Sequence, residues 1–150
     1  MTATTPAAYD PKPERLGEVQ SYKAGAAILS GQVVAFAATG VDNTVHPAIE
    51  TTGSLVGVAL ASASTGDMVP VAGNGSILTV YSAADNTTID AGDWVSNSTV
   101  AGTVIVLVGD IATHETEGAG YFPLGRALAD FASSKGEIEI NMGPIWTAAS

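Results

Sequence analysis

Residues that favour turns recur about every eight to twelve positions along most of this chain. No long segment has the 3.6-residue apolar period of an amphipathic helix. Short runs of Val, Ile, Ala and Thr fill the intervals between turns, and this spacing is typical of β-sandwiches and β-barrels. The sequence therefore predicts an all-β fold, a compact β-barrel or sandwich of short strands with an extended N-terminal arm.

Individual segments give more specific expectations. Residues 104–108 are five consecutive branched or apolar residues, which predicts a strand buried on both faces. Residues 137–142 alternate polar and apolar side chains, which predicts a strand with one face in water. Residues 73–75, Gly-Asn-Gly, are interpreted as a hairpin turn in which Asn and Gly adopt positive φ. Residues 127–134 are the one candidate for a short helix.

Parts of the first half of the chain are echoed in the second half. The pattern Ile-x-x-Gly-x-x-Val occurs twice, and two further segments have similar counterparts about 61 to 70 residues later. The paired segments are 28–34 with 89–95, 55–60 with 123–128, and 64–67 with 134–137. We interpret residues 17–150 as a single β domain made of two loosely similar halves, about 17–83 and 84–150. Chance agreement is the alternative, because Gly, Ala and Val are common in this chain.

Residues 1–16 form the arm. Pro6, Pro11 and Pro13 fix φ and disfavour helix at the preceding residue, so this segment is expected to be extended. With Tyr9 and Leu16 as its main apolar groups, it cannot offset its own ordering entropy. We expect it to be mobile in the free protein and ordered against a partner, so that deleting residues 2–16 leaves thermal unfolding nearly unchanged. A passive tail is the alternative.

The net charge of the chain argues against some classes of binding partner. The formal net charge is −10, from 15 acidic and 5 basic residues. Nucleic acids and anionic membranes are bound through clustered Lys and Arg, so neither is expected as a partner. The acidic balance fits either a high-salt environment or a surface that simply stays soluble. There are no cysteines, and residues 1–18 lack the basic start and apolar core of a signal peptide, so we expect synthesis in the cytoplasm.

Enzyme motifs are absent from the sequence. It has no G-x-S-x-G elbow, phosphate loop, H-E-x-x-H or S-x-x-K motif. Its two histidines, His46 and His114, lie far apart in the sequence, and residues 114–117 are interpreted as a solvated loop rather than a metal site. We therefore expect a non-enzymatic protein with no catalytic residue, cofactor or metal.

The aromatic residues are the remaining candidates for partner binding. We expect Trp94 to lie wholly or partly in the core, and Tyr121 and Phe122 to plug one end of a barrel. Trp146 lies beyond the last predicted strand, where it either folds back onto the domain or anchors a partner. The candidate partner-binding residues are Tyr9, Pro11, Pro13, Leu16 and Trp146.

Three segments carry a family resemblance: AGAAILSGQVVAF at 24–36, LVGVALASASTGDMVPV at 55–71 and IDAGDWVSN at 89–97. They resemble the small capsid decoration (cement) proteins of tailed phages and related viruses, in which Ala-Gly leads to an Ile-x-x-Gly-x-x-Val strand. A Val-Gly-Val-Ala-Leu strand, a Gly-Asp turn and a Val-x-Val strand then follow. The resemblance covers about residues 17–108 well, and the last third more loosely through Leu124-Gly125 and Gly136.

The resemblance implies a virion structural protein that binds the outer surface of an icosahedral capsid and stabilises the expanded shell at subunit junctions. The implied partners are the major capsid protein and further copies of the chain, as a homotrimer. The implied location is the outer capsid surface of the virion, after assembly in the host cytoplasm. Two other classes stay open: a carbohydrate-binding or adhesion module on a virus or cell surface, and a hydrolase with an unrecognised site.

Overall fold

The computed structural model describes residues 10–36, 43–48, 55–82, 89–98, 100–106, 123–132 and 134–142. In this part of the chain all regular structure is β, with ten strands and no helix, so the predicted all-β fold is confirmed. The strands are β1 (Val19–Ala24), β2 (Val33–Phe36), β3 (Thr44–Pro47), β4 (Leu55–Ala59), β5 (Met68–Ala72), β6 (Ile77–Tyr81), β7 (Trp94–Asn97), β8 (Val104–Val106), β9 (Pro123–Ala127) and β10 (Lys135–Ile140).

The first five strands close into a barrel in the order β1-β3-β2-β4-β5. The β1–β3 pair is parallel and the other pairs, including the β1–β5 pair that completes the barrel, are antiparallel. Alternate side chains point inward and pack as one cluster of branched residues, which includes Ile28, Val34, Val45 and Val71.

The last five strands form a second sheet in the order β6-β10-β9-β7-β8. Because the barrel is closed, its strand order can also be written from β1 through β5, as β1-β5-β4-β2-β3. This order corresponds to that of the second sheet, so β6 matches β1, β7 matches β2, β8 matches β3, β9 matches β4 and β10 matches β5. A parallel bridge between Ser82 and Val104 joins β6 to β8, where β1 and β3 pair in the barrel. We call β1–β5 the first half and β6–β10 the second half.

The two halves also share local irregularities. The β2–β4 register shifts between Val34 and Ala35, and the β7–β9 register shifts between Val95 and Ser96. The segments 28–34 and 89–95, which share a sequence pattern, end at these two shifts. The amides of their central glycines, Gly31 and Gly92, donate to Ala59 and Ala127, at the ends of β4 and β9 (2.8 Å each).

The structure places the boundary between the halves earlier than the predicted 83/84. Residues 73–76 form a turn closed by the Ser76 amide on the Gly73 carbonyl (3.2 Å), with Gly75 at φ 87°. This turn is not a hairpin, because β5 and β6 lie in different sheets. The third sequence similarity is also shifted. Asp67 immediately precedes β5, and Lys135 begins the equivalent strand β10. The structural counterpart of residues 64–67 is therefore 132–135 rather than 134–137.

Two other local expectations need correction. Ile105 and Val106 of β8 are only half-buried, because β8 lies beside β7 at the edge of the sheet; residues 107 and 108 lie outside the described part. Where a short helix was a candidate, Ala127 ends β9 and the described residues that follow make bends and a bridge from Ala132 to Lys135. The predicted alternation in β10 is confirmed, since Ile138 and Ile140 are buried between half-buried glutamates.

A single core joins the two halves. Each of Val33, Val58 and Ala72 is the immediate neighbour in its strand of a residue that faces the barrel interior. Since successive side chains of a strand point to opposite faces, these three point outward. All three are fully buried, in one cluster with side chains of the second half. At this junction the Val33 amide donates to the Gly102 carbonyl and the Gly102 amide donates to the Ala48 carbonyl (2.9 Å each). The outer face of the first half therefore packs against the second half.

Candidate interaction surface

The described part of the arm lies along β6 of its own chain. The Glu14 amide donates to the Ile77 carbonyl (2.8 Å), the Ile77 amide donates to the Arg15 carbonyl (2.8 Å), and the Thr79 amide donates to the Pro11 carbonyl (2.7 Å). Residues 10–16 therefore cover an edge of the second sheet. Sequence analysis did not foresee these contacts, in which β6 supplies the backbone partners that the arm lacks by itself, and the mobility of the arm stays a prediction. Residues 1–9 lie outside the described part.

The candidate partner-binding residues have different positions. Tyr9 and Trp146, like Tyr121 and Phe122, lie outside the described residues. Pro11 is buried within its own chain, which argues against direct contact of its ring with a partner. Pro13 and Leu16 are exposed beside β6 and stay candidates.

A row of five residues crosses the outer face of the second sheet and ends at the arm. Trp94 in β7 pairs with Arg126 in β9, and Arg126 pairs with Glu139 in β10. Glu139 pairs with Ile77 in β6, and Ile77 forms a bridge with Arg15. Directly opposed residues of neighbouring strands lie on one face of a sheet, so these side chains share a surface.

The charged members of the row contact their neighbours. The Arg126 guanidinium lies 5.1 Å from the centroid of the Trp94 ring, a cation–π contact. The Arg15 Nη2 atom lies 2.7 Å from Glu139 Oε2, and both side chains are about half exposed. Exposed ion pairs contribute little stability, so this pair orients its side chains more than it stabilises the fold.

Leu128 extends the row on the same face. It lies two residues after Arg126, its side chain is 40% exposed, and its amide donates to the Glu137 carbonyl (2.9 Å). We call Trp94, Arg126 and Leu128, with the glutamates Glu137 and Glu139 beside them, the Trp94–Arg126 surface. Trp and Arg are the residue types most enriched at the energetic centres of protein interfaces, so this surface is a candidate docking site.

Sequence analysis expected Trp94 to lie wholly or partly in the core and did not identify this surface. The Trp94 side chain is half-buried, and Arg126 lies over its ring. The alternation of side chains along β7 indicates where Trp94 points. Val95 corresponds to Val34 of the barrel interior, so Trp94, the residue before it, points outward.

A second exposed apolar region lies at one end of the first half. At this end β1 and β3 begin and β2 ends, since β3 is parallel to β1 and antiparallel to β2. Phe36 is 40% exposed there, whereas Val19, 43% exposed where β1 begins, pairs with Ala72 and so points to the outer face of the barrel. The ring of Phe36 contacts Tyr22 edge to face, with centroids 5.8 Å apart. We call this end of the barrel, with the exposed ring of Phe36, the first-half end. Met68, 61% exposed, begins β5 at the opposite end.

The described residues contain neither a candidate metal site nor a candidate membrane-spanning helix. No group of three or more His, Asp or Glu side chains there is arranged to hold a metal ion. None of these residues lies in a helix long and apolar enough to cross a membrane.

Comparison with known proteins gives one structural likeness to report. No protein-family model matches the chain, and no curated protein matches it. The crystal structure of the head fiber gp8.5 N base of bacteriophage phi29 is similar, with a TM-score of 0.55 and 17% sequence identity. The match covers 83% of this chain and 94% of that chain. At this identity the likeness shows a shared fold, an all-β arrangement found in a phage head fibre base.

Proposed function

We propose that the protein is a structural component of a tailed-virus virion. It binds the outer surface of an icosahedral capsid and stabilises the expanded shell at subunit junctions. It acts without catalysis or a cofactor, and it binds the major capsid protein and further copies of itself, as a homotrimer, rather than nucleic acid or membrane. The observation that carries the proposal is the fold shared with the phage head fibre base over 94% of that chain.

The sequence resemblance to cement proteins supports the same function independently. Residues that carry it have structural roles: Ile28 and Val34 pack in the barrel interior and Gly31 forms the turn between them, with φ 91°. The charge adds a physical argument for an outer location. A chain of net charge −10 is repelled by packaged nucleic acid, so its favourable contacts lie on the far side of the shell.

The architecture fits a reinforcing role. A protein that bridges two capsid subunits resists their separation only if its own body does not open first. The core that joins both halves provides such a body, and the described part of the arm adds hydrogen bonds across 60 residues of sequence, as from the side-chain Nε of Arg15 to the Gly75 carbonyl oxygen. Its contact surfaces can then transmit load between subunits instead of yielding locally.

Purified protein mixed with expanded, empty shells of the parent virus tests the proposal. We expect it to sediment with the shells, to saturate at a fixed number of copies per shell, and to raise the temperature at which the shells disrupt. Unexpanded shells and free capsid subunits are the controls. Protein that stays in the supernatant at saturating concentration contradicts the proposal, and binding to cell-surface polysaccharide instead would favour the adhesion module.

A further inference from the structure

The contact between the two halves has two sides, and each side has an equivalent elsewhere in the molecule. One side is the outer face of the first half, where Val33 pairs with Val58 and Val58 pairs with Ala72. The matching row in the second half is Trp94, Arg126 and Glu139, in the same strands and the same order. The first row is fully buried under the second half. The second row is the Trp94–Arg126 surface and is partly exposed.

The equivalence extends along the strand. Leu60 follows β4 as Leu128 follows β9, and their amides donate to the equivalent carbonyls of Pro70 and Glu137 (2.9 Å each). Leu60 packs against the core that joins the halves, whereas Leu128 is exposed. A face that the first half buries in a protein contact is therefore open in the second half.

The other side of the contact is one end of the second half, where β7 and β10 end and β8 begins. Asn97, the last residue of β7, is fully buried there, and Thr103 just before β8 is 1% exposed. The residue of the first half equivalent to Asn97 is Phe36, the last residue of β2, which is 40% exposed. Each of the two surfaces that form the contact between the halves therefore has an exposed equivalent. The Trp94–Arg126 surface is equivalent to the outer face of the first half, and the first-half end is equivalent to the end of the second half.

We propose that a second copy of this chain covers the Trp94–Arg126 surface, and that it does so with its first-half end. The contact repeats between copies the arrangement that joins the two halves within a copy. It deepens the self-association in the proposed function, on which it rests. Phe36 of one copy lies against Trp94 and Leu128 of the next.

Charge also favours this occupant. Arg126 is an exposed cation on a chain of net charge −10, and Glu18, beside Val19, is an exposed carboxylate at the first-half end. An apolar centre with one opposite-charge pair gives such a contact a defined orientation. Because the two surfaces differ, the contact is heterologous and propagates from copy to copy until it closes as a ring. A ring of three is the homotrimer of the proposed function.

Sedimentation velocity of the purified protein, without shells, tests the contact. We expect the wild type to associate as concentration rises, and Leu128→Glu and Phe36→Glu each to weaken association at least about tenfold. Met68→Glu is the matched control, since it makes the same charge change at an exposed apolar residue at the opposite end of the barrel. It should associate like the wild type. Thermal unfolding verifies that each variant is folded, and Phe36→Ser replaces Phe36→Glu if the latter is not.

Mixing the two variants decides whether the contact is heterologous. Leu128→Glu keeps an intact first-half end and Phe36→Glu keeps an intact Trp94–Arg126 surface, so together they should form a one-to-one dimer and nothing larger. A wild type that stays monomeric at all concentrations, a mixture that stays monomeric, or equal loss with Met68→Glu overturns the proposal. A monomer that still binds shells overturns this contact and the homotrimer, and leaves the capsid-binding part of the proposed function standing.

Discussion

Two glycines show how single residues set the geometry of each half. Gly57 pairs with Val34 and Gly125 pairs with Val95, next to the register shift in each half. A Cβ at Gly57 would collide with the Ala72 carbonyl oxygen, and one at Gly125 would collide with the Glu139 carbonyl oxygen. The neighbouring strand passes so close at these points that no side chain fits.

We expect Gly125→Ala to lower the free energy of unfolding by about 1–3 kcal/mol, because the new methyl group forces the backbones of β9 and β10 apart. Gly92→Ala is the matched control. Its φ is +93°, but a Cβ there meets nothing within 4 Å, so only backbone strain of about 1 kcal/mol is expected. Urea unfolding midpoints measure both values. Equal midpoints for Gly125→Ala and the wild type would show that the strands can separate without cost.

Sequence patterns predicted the structural roles of those residues whose conformation depends on their nearest neighbours in the chain. The alternation of β10 and the Ile-x-x-Gly-x-x-Val turns depend on local geometry, so the sequence contains them directly. The partial burial of Trp94 was among the expectations, but its contact with Arg126 was not, because that contact depends on the pairing of β7 with β9. That pairing joins segments about 30 residues apart, which no local pattern specifies.

At the scale of elements, the arm differs most from its sequence-based description. Its prolines predicted extended backbone, and residues 10–16 are free of helix as expected. Its partner was not predictable, because β6 looked like the second strand of a hairpin with β5. Since β6 instead lies in the other sheet, one of its edges takes the arm, and β10 occupies the other.

Deletion of residues 2–16 should now destabilise the protein by about 1–3 kcal/mol, contrary to the expectation from sequence. It removes the partners of the Ile77 amide, the Ile77 carbonyl and the Thr79 amide. Arg15→Ala removes an exposed ion pair and the exposed hydrogen bond from Arg15 Nε to the Gly75 carbonyl, but it keeps the backbone of the arm, and it should cost about 1 kcal/mol or less. Urea unfolding gives both values, and hydrogen exchange at Ile77 and Thr79 should accelerate only in the truncated protein. Unchanged exchange there would mean that the arm does not protect β6.

For the whole molecule, the main consequence of the fold is that the two halves share one core cluster, in addition to the cluster inside the barrel of the first half. The sequence predicted two similar halves within one domain, but similar halves can be either independent or joined. The side chains decide between these cases. Val33, Val58 and Ala72 are exposed on an isolated barrel and fully buried in the complete protein, because the second half covers them.

We therefore expect one cooperative unfolding transition for both halves. Val58→Ala, in the first half, should lower the free energy of unfolding by about 2–3 kcal/mol through lost burial and an added cavity. The loss should register equally in the second half, since the cluster is shared. Unfolding in guanidinium followed by Trp94 fluorescence, in a Trp146→Phe background, reports on the second half. Hydrogen exchange of β2 and β7 peptides compares the two halves directly.

Met68→Ser is the control for this experiment. Its side chain is 61% exposed at the far end of the barrel, so the substitution should change stability by less than about 0.5 kcal/mol. If Val58→Ala reduces protection in β2 peptides and leaves β7 peptides unchanged, the halves unfold separately. The rigid body that the proposed function requires would then be two bodies, and a load applied at subunit junctions would open the contact between them before it reached either sheet.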